Sequence, residues 1–91
     1  MKITERPNWK QAFDKIKAVV NSDLDPLGVA DTFDGEYDDL NFKIYSALLM
    51  SNNIDNLSAV IKKELTDYYG VTIPDTEILK VSEKLVALNI K

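Results

Sequence analysis

Apolar residues recur along this chain at steps of three and four, the repeat of a helix face and not the alternation of a strand. Trp9, Phe13, Ile16 and Val20 follow one another at four, three and four, with Ala12 and Val19 widening the stripe. The spacing predicts a first helix. Pro7 suits its opening turn, where a missing N–H costs nothing, and Asn21 and Ser22 mark its end. A second helix is expected to start between Asp34 and Asp39. Its stripe is Tyr37, Leu40, Ile44, Ala47 and Leu48, broadened by Phe42, Tyr45 and Leu49.

"SNN" at 51–53 breaks the pattern and supplies cap side chains for a third helix. Asn52, with Asp55 three residues on, loosely matches a capping box. Ile54, Leu57, Ile61, Leu65 and Tyr68, with Val60 beside them, then share a face until Gly70. Glycine is the residue expected where a chain turns left-handed after a helix. Beyond "VTIPD", where Thr72 and Asp75 are cap candidates, Ile78, Val81, Leu85 and Leu88 define a fourth helix, with Leu79 and Val86 alongside. No stretch alternates convincingly as a strand; "YGVTIP" is short and ends in proline.

The expected fold is therefore all-α. It is a small four-helix bundle-like domain, residues 1–91, with a long acidic loop between helices 1 and 2. The 91 residues fall within the range of one domain. A chain this short buries roughly 60–65% of its unfolded surface, and 45% apolar residues suffice for one core.

Composition narrows the chemistry. There is no cysteine, hence no disulfide, thiolate metal site or thiol nucleophile. There is no histidine, which removes the commonest general base near neutral pH and the commonest transition-metal ligand. No nucleophile–base pair is legible and no glycine-rich phosphate cradle is present, so no catalytic residue and no cofactor are expected. The net charge of −4 opposes binding to nucleic acid or to an anionic membrane. The N-terminal residues lack the apolar centre of a signal peptide, and no uninterrupted apolar run exceeds that of Ala47–Met50. Roughly 20 residues are needed to span a bilayer, so a cytoplasmic location is expected.

The chemistry that does stand out is "NSDLDPLGVADTFDGEYDD", residues 21–39, with seven carboxylates and no positive charge. Three roles fit it. From Asp23 it partly matches an EF-hand loop, with Asp23, Asp25 and Asp31 at positions one, three and nine. Gly28 falls at six and Asp34 at twelve. Leu27 at position five has no oxygen to donate, Asp34 is one methylene short of the bidentate glutamate, and Pro26 stiffens the loop. The second role is structural. Asp25-Pro26-Leu27-Gly28 carries the preferences of a type I turn, and acids before the second helix complement its dipole. The third is a recognition surface, where charge steers a basic partner and aromatic side chains anchor it.

"DPLGV" at 25–29 followed by "EYDDL" at 36–40 resembles the YugE-like family of small bacterial proteins of unknown function. The resemblance implies an all-helical, cytoplasmic, bacterial protein, and Leu24 stands where that family often has tryptophan. It further implies that Asp25, Pro26, Gly28, Glu36, Tyr37 and Asp38 act as a unit. In one physical version the Tyr37 ring packs on the Pro26 turn while Asp25 and Asp38 cap adjacent helix starts. No reaction or cofactor comes with it.

Taken together, a non-catalytic interaction or regulatory domain is expected, contacting another protein, a basic one, through Asp31, Phe33, Asp34, Glu36, Tyr37, Asp38 and Asp39. An immunity-like inhibitor is one concrete form. Asp25, Pro26, Gly28 and Tyr37 form the structural motif. The alternative is a divalent-cation domain built on residues 23–34.

Overall fold

The computed structural model describes residues 5–25, 28 and 35–90. Four α-helices account for most of them: α1 (Trp9–Val19), α2 (Asp38–Met50), α3 (Ile54–Asp67) and α4 (Asp75–Ala87). Among the described residues there is no strand, and no helix is long and apolar enough to cross a membrane. The protein is all-α over the residues described.

The predicted stripes are the buried faces. Phe13, Ile16 and Val20 come from the first segment; Leu40, Ile44, Tyr45, Ala47 and Leu48 come from α2. Leu57, Ile61 and Leu65 of α3 join Ile78, Val81 and Leu85 of α4 in the same core. Full burial of each such side chain stabilises the fold by about 1.5–3 kcal/mol. α2 packs on α1 and α3, and α4 packs on α3 and α1. At the α1–α2 seam the Phe13 and Phe42 rings lie 4.6 Å apart, and Trp9 stacks on Phe42 at 6.3 Å. At the α3–α4 seam the Ser58 hydroxyl donates to Ser82 Oγ, which donates to the Ile78 carbonyl. Ser82 is thereby satisfied although buried.

The helix ends differ from expectation in detail. α1 does not stop at Asn21; it widens into a π turn, Val20–Leu24. The Ser22 hydroxyl donates to the Ala18 carbonyl at 2.6 Å, competing with the backbone for that acceptor. The Asp25 N–H then reaches five residues back to Val20 at 2.8 Å. The cap of α3 is Asn53, not Asn52: its side chain accepts the Asn56 N–H at 3.0 Å. Pro74 occupies the cap position of α4, where neither Thr72 nor Asp75 makes a side-chain cap bond.

Three residues depart from the pattern, one of them Leu79 of α4, which is 42% exposed. Tyr68, expected on the buried face of α3, is 62% exposed, because the helix ends at Asp67 and the chain leaves its axis. Gly70, at φ 65°, completes that exit and lets the Val71 N–H bond to the Leu65 carbonyl at 2.9 Å. Asn41, a polar position of α2, is fully buried, and neither its amide oxygen nor its nitrogen has a hydrogen-bond partner. An unmade hydrogen bond on a buried group costs about 1–3 kcal/mol. Leucine matches asparagine in heavy-atom count and branching. Asn41→Leu is therefore expected to raise stability by about 1–3 kcal/mol, seen as a higher melting temperature at roughly 4–8 °C per kcal/mol.

Candidate functional site at the start of α2

The π turn and the start of α2 are tied to each other by one side-chain bond. Asp25 ends the π turn with a left-handed backbone, φ 32°, a conformation that aspartate tolerates better than most residues. Its carbonyl accepts the Gly28 N–H at 3.0 Å. That closes the four-residue turn expected for Asp25-Pro26-Leu27-Gly28, with Gly28 at φ 67°. Its carboxylate accepts the Tyr37 hydroxyl at 2.7 Å. Such a bond to a charged group contributes about 1.5–3 kcal/mol.

Tyr37 itself is 0% exposed, so of its two expected roles it takes the structural one; a contact role for it is corrected here. It also occupies the cap position of α2 without a side-chain cap bond. Asp38 is the first residue of the helix and does not cap it. Asp25 closes a helical turn instead of opening one. The four remaining members of the expected set, Pro26, Asp31, Phe33 and Asp34, lie outside the described residues, as does any packing of Tyr37 on Pro26.

Around the buried Tyr37 the acids face outward. Glu36 and Asp39 are exposed, and Asp38 is partly exposed with Lys17 at 3.9 Å. Asp38 and Asp39 lie in the first turn of α2, where the helix dipole favours negative charge. The end of α3 arrives beside them. The Tyr69 ring meets Tyr37 edge-on at 5.8 Å, and Tyr68 meets Tyr69 at 4.9 Å. The three rings run from the core to the surface. Tyr69 donates its hydroxyl to the Glu36 carbonyl at 3.3 Å. One helical turn along α2, the exposed Lys43 ammonium pairs at 2.8 Å with Glu64, a carboxylate only 7% exposed.

These neighbours shift the titration of the site. Tyr68 is raised from its ordinary value by its hydrogen bond to Asp39 and by that carboxylate's charge. Lys43 is raised by its hydrogen bond and charge interaction with Glu64. Burial pushes Tyr69 up to about 12, and the Asp39 charge adds to this. Sequence reasoning did not place Tyr68, Tyr69, Lys43 or Glu64 here. The only available signal was the Tyr68-Tyr69-Gly70 run, where a helix repeat must break.

The carboxylates of the cation alternative have protein partners where described. Asp23 takes the Lys84 ammonium at 2.8 Å, and Asp25 takes Tyr37. Leu27, Asp31 and Asp34 of that loop lie outside the described residues. The arrangement that remains is an acidic ridge with an aromatic flank.

Comparison with models of known protein families, with characterised proteins and with solved structures finds no match.

Two outcomes check this geometry. Tyr37→Phe keeps the packing and removes the donor, so it should cost about 1.5–3 kcal/mol in urea unfolding. Its effect should largely vanish in an Asp25→Ala background, since each change removes one end of the same bond. Separately, Tyr69 is neutral and favoured in the folded state below its unfolded value of 10.0. Its contribution is present below pH 10 and lost as pH rises toward 12. A phenolate absorbance titration should show an ionisation near 12 whose amplitude falls in Tyr69→Phe.

Proposed function

We propose that this chain is a small non-catalytic interaction or regulatory domain whose acidic start of α2 receives a basic protein. The observation that carries the reading is the fixed presentation of Glu36 and Asp39. Both are exposed, while their neighbour Tyr37 is sunk in the core and bonded to Asp25. Charge held on a rigid segment steers a partner and loses little freedom on binding. An immunity-like inhibitor of a basic toxin is a concrete instance, on a four-helix bundle-like scaffold. The resemblance of "DPLGV" and "EYDDL" to YugE-like proteins supports a bacterial, cytoplasmic setting, and the absence of histidine and cysteine supports the non-catalytic part.

The test is charge reversal of Glu36 and Asp39 to lysine. The double variant is expected to lose no more than about 1 kcal/mol of stability per site, the scale of a helix-dipole contribution. It should lose a basic protein that the wild-type chain captures from its native host, and the wild-type capture should weaken steeply with salt. Retention of the same partner by the double variant would overturn the reading.

A further inference from the structure

The acidic ridge is one end of a longer feature. Between α2 and α3 lie two shallow clefts of about 450 and 310 Å³, which share Lys43 and Val60 and so form one groove. Three large hydrophobic side chains are exposed among the described residues: Met50 at 83%, Tyr68 at 62% and Leu79 at 42%. The two most exposed stand at opposite ends of this groove. Met50 closes the end lined by Phe42, Ala47 and Val60. Tyr68 closes the other, beside Asp67 and near enough to Asp39 for that carboxylate to raise its pKa.

The groove therefore has a direction. One end is apolar. In its middle, the Lys43 ammonium is neutralised by Glu64 at 2.8 Å, and the exposed Lys63 lines the same stretch. The far end is lined by Lys63, Glu64, Asp67 and the exposed Tyr68, and the carboxylates of Asp39 and Glu36 lie near enough to Tyr68 to act on it from outside the groove. Cations bind favourably over an aromatic face, and carboxylates alongside provide charge-assisted hydrogen bonds. From Met50 back to Phe42 the groove follows eight steps along α2, roughly 12 Å at 1.5 Å per residue. About two turns of a partner helix match that length.

We infer that the α2–α3 groove docks one amphipathic helix of a basic protein partner. The helix sets apolar side chains between Met50 and Val60 and places an arginine or lysine one turn further on, over Tyr68 and against Asp39 and Glu36. This rests on the acidic ridge being a docking surface and assigns the partner's form, a helix with an apolar stripe followed by a cation. Helix-in-groove recognition works through such anchors at i, i+3, i+4 and i+7.

The experiment uses the full chain and a fluorescein-labelled helical peptide with leucines at i, i+3, i+4 and i+7 and two arginines one turn beyond. A matched peptide carries glutamates in place of the arginines. Saturable anisotropy is expected with the first peptide and not with the second. Met50→Asp, at a side chain free enough to leave the melting temperature unchanged, should weaken binding by about tenfold or more, as should Tyr68→Ala. Glu36→Gln with Asp39→Asn should weaken it and flatten its salt dependence. If the acid variants weaken binding while Met50→Asp does not, the groove proposal falls and the acidic ridge stands. If Met50→Asp alone matters, the acidic reading falls. No saturable binding, or equal binding of both peptides, overturns the groove proposal outright.

Discussion

The hydrogen bond from Tyr37 to Asp25, 2.7 Å long, joins the segment that leaves α1 to the segment that opens α2. These two segments flank the most acidic part of the chain, and like charges there favour separation. A buried phenol bonded to one of the acids opposes that tendency locally. It also fixes the start of α2, so that Glu36 and Asp39 point outward from a segment that is itself part of the core. The fully buried Tyr37 ring gives the bond its surroundings, since a hydrogen bond shielded from water is stronger and costlier to break.

The same tyrosine connects the acidic ridge to α3. Its ring meets Tyr69, which meets Tyr68, and the Tyr69 hydroxyl returns to the backbone at Glu36. Surface chemistry at Asp39 and Tyr68 is thus supported by packing that begins in the core. The Lys43–Glu64 pair continues the link along the α2–α3 seam. A buried carboxylate is tolerated there because its partner reaches it at 2.8 Å while the ammonium keeps contact with water.

Two features work against simple stability. Asn41 is buried without partners for its amide, and the π turn gives up regular helical bonding between Val20 and Leu24. The π turn has a compensation in view: it carries Asp23 to Lys84 of α4 and Asp25 to Tyr37. Asn41 has none among its neighbours, and the structure offers no explanation for an amide at that position.

The sequence by itself determined the helices. Apolar steps of three and four leave one way to bury Leu40, Ile44 and Leu48 together, or Leu57, Ile61 and Leu65, and that is on a helix face. It also placed the Asp25-to-Gly28 turn, because proline and glycine restrict and release the backbone at defined positions. It could not assign Tyr37 between core and contact roles, since a ring that ends an apolar stripe beside four acids fits either. It put Tyr68 on the wrong side, because periodicity cannot tell the last residue of a helix from the first beyond it. Those outcomes, and the meeting of Asp39 with Tyr68 and of Lys43 with Glu64, were decided by tertiary structure. The last two depend on how α3 lies against α2, a relation between residues 20 or more apart that no local pattern encodes.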